Sequence, residues 1–308
     1  MDRTFQYHIT EQNAGMTVRQ ILKQAGYSHH ILTHLKNTEM GICVDGVPVY
    51  LNHLLFTGDL LTVLLKEKQS SSNVIPIPLP LNIVYEDEDL LVVNKPAGMS
   101  IHPSINHYDN SLANAAAFYF SNQGLPFVFR CVNRLDRDTS GLTVLAKHLL
   151  SSSILSDMVK KRELTREYLA IAEGITEPAG TIAAPIARKE GSAIERIVDF
   201  ENGETAITHY QRLSVIAVSG ENIKREYSLL KIRLETGRTH QIRIHLRYIG
   251  HPLPGDFLYN PDNSIIKRQA LHSACLSFRH PITGEMLFFE APLPEDMRQI
   301  ISNSVPLF

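Results

Sequence analysis

Pro76, Pro78 and Pro80 alternate in KEKQSSSNVIPIPLP (66–80), behind a charged start and a run of serines. A proline donates no backbone hydrogen bond and disfavours helical geometry in the residue before it, so neither a helix nor a central strand runs through this stretch. Residues 69–80 therefore read as a linker, and the chain of 308 residues divides into a small unit (1–68) and a large one (81–308). Hydrophobic residues make up 44% of the chain, enough to give both units a core.

In the small unit Val18, Ile21, Leu22 and Ala25 recur at helical spacing, with Thr17 to cap the start and Gly26 to end the helix. A second short helix follows Ser28, with Ile31, Leu32 and Leu35 facing inward. ICVDGVPV (42–49) is a hairpin around Asp45-Gly46, and Gly58-Asp59 leads into the apolar strand LLTVLL. This order of helix, helix, hairpin, Gly-Asp and strand resembles the S4 RNA-binding module. The resemblance implies a small α/β domain that binds RNA. Its charge is balanced, with six Lys/Arg and six Asp/Glu over residues 1–68. Where S4 modules usually carry a basic helix, this chain offers His29, His30, His34 and Lys36. A structural or interaction domain is the competing reading.

The large unit is mostly strands. NIVYEDEDLLVVNKPAG (82–98) reads as strand, solvated acidic turn and strand. LTVLA (142–146) and EYLAIA (167–172) are further strands, and helices are expected over Ser111–Phe120 and near Leu150–Lys161. SLLKIRLE alternates as a strand and turns at Thr236-Gly237. HQIRIHLRYI fits either a strand or a helix. Thr239 as cap, Gly250 and Pro252 as terminators, and Ile242, Leu246 and Ile249 at i, i+4, i+7 favour the helix. His240, Arg243 and Arg247 then share one face, a cationic strip suited to phosphates. The net charge is −2, yet Lys224 to Arg247 contains seven Lys/Arg and two Glu, so a basic patch on a neutral protein is expected.

Other classes fall away. Cys43, Cys131 and Cys275 are scattered and match neither a disulfide framework nor a zinc site, which points to a reducing compartment. The N-terminal residues lack the apolar core of a signal peptide, and no run approaches a membrane span; a cytoplasmic location is expected. There is no GxGxxG, Walker loop, HExxH or GxSxG. What remains is NRLDRDTSG (133–141), where Asp136 stands between Arg134 and Arg137. A turn residue accepting backbone amides is the ordinary reading of such an aspartate. Arginine on both sides would instead keep it ionised, fit to act as a nucleophile or to stabilise an oxocarbenium-like sugar.

RLDRDTSG resembles motif II of the pseudouridine synthases of the RluA/RluD family. NKPAGMSIHP (94–103), REYLA (166–170), LETGRTHQIRIHL (234–246), GDFLY (255–259), LHS (271–273) and FRHPITGE…APLP (278–294) resemble their other segments in the same order. The likeness implies an α+β fold: a catalytic domain built on a mixed, largely antiparallel sheet with flanking helices, plus the S4-like domain. It also implies an isomerase that converts uridine to pseudouridine in ribosomal or transfer RNA, with no metal or other cofactor, no membrane partner and no need for more than a monomer.

By position, Asp136 is the essential carboxylate, whether it attacks C1′ or removes a proton from C2′. Tyr168 is the tyrosine that packs on the uracil, and Arg243 the arginine that pairs with the catalytic aspartate. Arg134 is implicated in extruding the base, with Arg137, Arg238, His240 and Arg247 as RNA-binding residues. His102 and His272 are expected to be structural. Asn133 and Asn260 depart from the residues many relatives carry. A retired synthase acting only as an RNA-binding factor, and a hydrolytic glycosylase, are the rival functions.

Overall fold

A computed structural model describes residues 2–104, 108–219 and 224–302. The N-terminal unit contains β1 (Asp2–His8), α1 (Val18–Gln24), α2 (His29–Lys36), β2 (Ile42–Val44), β3 (Val47–Pro48) and β4 (Leu60–Lys66), its sheet ordered β1-β4-β2-β3. Thr17 and Gln20 close a capping box on α1, and Ser28 caps α2. Asp45 and Gly46 both take positive φ, 48° and 79°, as a tight two-residue hairpin requires. β1 lies outside the sequence expectation. It pairs with β4 along its whole length, but its inner row is Arg3, Phe5 and Tyr7, of which only Phe5 is fully buried. A row so weakly apolar carries little hydrophobic signal.

The proline-rich segment has no helix or strand over 67–82, yet it is no free tether. The Ser70 and Ser71 hydroxyls accept the amides of Phe127 and Phe129 at 3.1 and 2.9 Å, and Asn114 donates to the Ile75 carbonyl at 2.8 Å. Leu79 and Leu81 pack on the main core. Side-chain hydroxyls and interleaved leucines make a strap of what composition alone reads as a linker.

The rest of the chain supplies β5 (Ile83–Glu86), β6 (Leu90–Lys95), α3 (Leu112–Ser121), β7 (Ser140–Ala146), α4 (Leu149–Lys160), β8 (Thr165–Glu173), β9 (Ala179–Ala183), β10 (Ile186–Arg188) and β11 (Arg196–Val198). It continues through β12 (Ile207–Ser219), β13 (Lys224–Leu234), α5 (Gln241–Tyr248), β14 (Leu271–Arg279), β15 (Met286–Glu290) and α6 (Glu295–Ser302). Among the described residues one large sheet runs β5-β6-β7-β14-β8-β13-β12-β9, with β15 on β14. β7 and β14 are parallel and the other pairs of this sheet are antiparallel. The α+β class with a mixed, largely antiparallel sheet is therefore the one the motifs imply. Gly141 lies in the parallel contact, opposite Ser273, at φ 113°, and a Cβ there would lie 2.2 Å from the Ser273 carbonyl oxygen. Only glycine lets these two strands approach so closely.

Two local expectations need correction. α5 is capped by His240 in the left-handed region (φ 59°), without a side-chain cap bond, and not by Thr239. Gln241 fastens the turn instead. Its Oε1 accepts from the Arg238 amide at 2.9 Å, and its Nε2 donates to the Ile207 carbonyl at 3.0 Å. The acidic turn between β5 and β6 is not simply solvated. Asp89 is buried, bound by Arg3 at 2.8 Å and His148 at 2.8 Å, while Asp87 takes His280 at 2.9 Å. The run of acids supplies counter-charges to basic groups from three distant segments, which local pattern does not reveal.

Candidate active site

NRLDRDTSG crosses the sheet end as an irregular segment entering β7. Asn133 pins it there: its amide donates to the Leu142 carbonyl at 3.0 Å and accepts from the Val144 amide at 2.9 Å. Asn133 is thus a buried structural link. Asp136 opens a turn closed by the Thr139 amide on its carbonyl, at 3.1 Å. Two buried basic side chains hold this turn from behind. Burial pulls the Lys95 pKa down to about 7, but Nζ donates to the carbonyls of Pro96, Met99 and Arg137 at 2.8, 2.8 and 3.0 Å, three acceptors that suit the three hydrogens of the ammonium form. Arg268 donates to the Asp138 carbonyl at 3.1 Å and is itself clamped by Asp296.

The flanking arginines do not meet Asp136 as the sequence reading expects. Arg137 turns to Asp138, 2.9 Å away, and its guanidinium lies 6.0 Å from the Phe257 ring centre. Arg134 is exposed at the cleft wall. Side chains adjacent in a turn diverge, so sequence neighbours are poor partners. The cation that reaches Asp136 comes from α5: Arg243 Nη1 donates to Oδ2 at 3.0 Å.

Arg243 is accordingly no part of an outer strip. It is 2% exposed, between Asp136 and the fully buried Asp256. Asp256 accepts from Nε at 2.6 Å and from Nη2 at 2.7 Å, a bidentate clamp, and also takes the amides of Leu258 and Tyr259. Burial works against the guanidinium charge, but Asp256 and Asp136 more than restore it, so its pKa stays above the ordinary arginine value. The rings of Tyr259 and Phe257 lie 5.0 and 5.6 Å from its Cζ.

His240 Nδ1 lies 2.9 Å from the Tyr259 hydroxyl oxygen, which accepts from the Arg196 amide. We assign the phenol hydrogen to Nδ1 and the ring proton to Nε2, which faces Asp136 at 4.0 Å. Burial lowers the His240 pKa against the pull of Asp136. Arg247 is exposed, 5.8 Å from the Tyr259 ring centre. Arg238 donates to the Thr205 carbonyl at 3.1 Å and pairs with Glu204. Tyr168 sits in mid-sheet, registered between Ile232 of β13 and Ser273 of β14. It is nearly fully buried, and burial raises its phenol pKa.

These residues meet in a cleft of about 500 Å³ lined by Arg134, Asp136, Tyr168, Arg238, His240 and Arg243. Arg137 and Arg247 are not in its lining. His102 packs edge-on to Phe129, and His272 is buried with Nδ1 2.9 Å from Ser140 Oγ. Sequence reasoning assigned no role to Asp256 or Lys95, although both lie in quoted motifs, GDFLY and NKPAG. The signal available was charge inside an otherwise apolar run, which implies a buried partner. The arrangement offers one part-exposed carboxylate, a fixed cation behind it and a buried aromatic face beside it.

Residues 89–248 match the family model described as RNA pseudouridylate synthase. The Bacillus subtilis protein titled uncharacterized RNA pseudouridine synthase YjbO is 41% identical over 289 residues, covering 94% of this chain and 99% of that one. The ribosomal large subunit pseudouridine synthase D of Haemophilus influenzae is 40% identical over 242 residues, covering 73% of this chain and 71% of that one. Among solved structures, human RNA pseudouridylate synthase domain containing 1 matches with a TM-score of 0.58 at 28% identity, over 69% of this chain and 83% of that one. With the fold, the ordered motifs and these relatives in agreement, the chain belongs to the RluA/RluD family of RNA pseudouridine synthases, isomerases that convert uridine to pseudouridine.

Proposed function

We propose that this protein isomerises uridines of ribosomal RNA, with Asp136 as the essential carboxylate. The carrying observation is the Asp136–Arg243 contact of 3.0 Å at the cleft wall, where Tyr168 is the buried aromatic neighbour. The C1′–N1 bond breaks, the uracil turns, C5 bonds to C1′, C5 loses its proton and N1 gains one, so nothing is added or lost overall. Asp136 assists by attacking C1′ or by removing the C2′ proton. Arg243 holds the carboxylate in place and, being clamped by Asp256, stays charged while the sugar develops positive character. Tyr168 packs on the uracil and takes part in the loss of the C5 proton. Arg134, exposed at the cleft wall, occupies the space of the extruded base, since the bond that breaks is out of reach in a folded RNA. Arg238 and His240 contact RNA within the cleft, and Arg137 and Arg247 do so outside it.

The ribosomal substrate is favoured over transfer RNA by relatives titled ribosomal large subunit pseudouridine synthase D in Haemophilus influenzae and Vibrio cholerae. The N-terminal unit is read as the S4-like RNA-binding domain (1–68), joined through 69–80 to the catalytic domain (81–308). No helix among the described residues is long and apolar enough to cross a membrane; we read the protein as a monomer that works in the cytoplasm.

The test is tritium release from ribosomal and transfer RNA labelled at uridine C5. Wild-type protein is expected to release tritium from ribosomal RNA, and the Asp136→Asn variant none. Full activity in the variant would remove Asp136 from the mechanism. Release from transfer RNA alone would move the substrate assignment.

A further inference from the structure

The active-site cleft continues past Tyr168. Arg162, Arg166 and Glu235 line both it and a second groove of about 440 Å³, to which Thr165, His209 and Arg233 contribute. Three arginines face one carboxylate in this groove. The carboxylate is already engaged twice: Glu235 takes Arg162 at 2.5 Å and His209 at 2.7 Å. The groove thus carries cationic charge in excess.

Arg166 stands two positions before Tyr168 on β8. The two side chains leave the same face of the sheet, about 7 Å apart along the strand. Arg166 Nε is buried and has no hydrogen-bond partner among the described residues. The turn at Gly237 closes against it, for a Cβ there would lie 2.9 Å from Nη1. A buried N–H of a permanent cation without an acceptor is costly unless a ligand supplies one.

Arg162 adds a second, independent sign. α4 ends in a Schellman arrangement, with the Glu163 amide on the Met158 carbonyl at 2.9 Å and the Arg162 amide on the Val159 carbonyl at 3.2 Å. That places Arg162 at the left-handed position (φ 61°) where glycine is free of strain. A cation thus stands, at the cost of backbone strain, where the two clefts meet.

We propose that this second groove, lined by Arg162, Arg166 and Arg233, binds backbone phosphates of the RNA strand flanking the extruded uridine. The inference rests on the reading of the cleft as a uridine site, because Arg166 and Tyr168 must then face adjacent parts of one strand. A turn of the Arg166 side chain into the groove would give Nε a phosphate acceptor, and a charged ligand matches the surplus charge.

The probe is an unmodified large-subunit ribosomal RNA transcript, with equilibrium binding measured across a KCl series. Arg166→Gln is expected to weaken binding about tenfold and to reduce the slope of log affinity against log salt by about 0.7 to 0.9, the loss of one phosphate contact. Arg166→Lys should keep the slope and part of the affinity. Arg162→Ala and Arg162→Gly should lose the same affinity, although the glycine variant, freed of strain, melts higher than the alanine variant. Affinity that followed melting temperature would assign Arg162 to the fold alone and overturn its place in the groove. Wild-type affinity and slope in Arg166→Gln would overturn the proposal. Tritium release by wild-type protein separates the failures: its absence from both this transcript and transfer RNA sinks the uridine-site reading, whereas release with unaltered Arg166→Gln binding sinks only the groove.

Discussion

Asp136 and Asp256 hold the same guanidinium, yet replacing each by asparagine should affect stability very differently. Asp256 is 0% exposed and makes two charge-assisted hydrogen bonds to Arg243, at 2.6 and 2.7 Å. Removing its charge leaves a guanidinium that is 2% exposed with Asp136 as its remaining carboxylate contact, through one hydrogen bond. Deleting one partner of a buried pair costs about 3–5 kcal/mol. The asparagine carbonyl can still accept the Leu258 and Tyr259 amides, so the loss should fall near the lower end, about 3 kcal/mol. Asp136 is 26% exposed, and solvent screening holds the cost of Asp136→Asn within about 1 kcal/mol. Urea unfolding at constant m gives both numbers, and tritium release gives activity. Asp256→Asn should be destabilised and impaired, Asp136→Asn stable and inactive. Equal stability losses, or a loss below about 1 kcal/mol for Asp256→Asn, would refute the account of how Arg243 is held.

Burial pushes the Asp89 pKa up, but hydrogen bonds from His148 and Arg3 more than reverse it, to about 2. Because the folded value lies below the unfolded one, near 3.9, its stabilisation is present above about pH 4 and is lost as pH falls towards 2. Acid titration of the unfolding free energy should show a loss of about 2 kcal/mol from this group, absent in Asp89→Asn. Gly141→Ala drives a Cβ to 2.2 Å from the Ser273 carbonyl oxygen and should cost at least about 3 kcal/mol or abolish folding, read by circular dichroism and melting. Lys95→Met strips the donor from three carbonyls, one of them on the turn behind Asp136. It should lose at least about 3 kcal/mol and lower kcat in the tritium assay, because the carboxylate is no longer held in position.

The elements legible in the sequence carried their own local code. Thr17, Ser28, Asp45-Gly46 and Ser111 mark ends and turns where the structure has them, and the helical choice for 240–249 followed from its terminators. β1 was illegible because its inner row holds a single fully buried apolar residue. That the Ser/Pro segment packs as a strap was illegible, because whether a hydroxyl accepts a distant amide cannot be seen in composition. At the site, Asp136, Tyr168 and Arg243 were named by motif and share one cleft. The reason first given for the aspartate's charge, its adjacent arginines, was misplaced: the contact comes from 107 residues away. Asp256 and Lys95 each act through a tertiary neighbour, and no spacing rule links them to it.

The central claim is that Asp136 carries an isomerisation and not a hydrolysis or a binding event. Nucleoside analysis of ribosomal RNA incubated with each protein tests it most directly. Wild-type protein should convert uridine to pseudouridine one for one with no free uracil, and Asp136→Asn, still folded and still bound to the RNA, should yield neither product. Pseudouridine formed by Asp136→Asn, or free uracil released by the wild type, would contradict it.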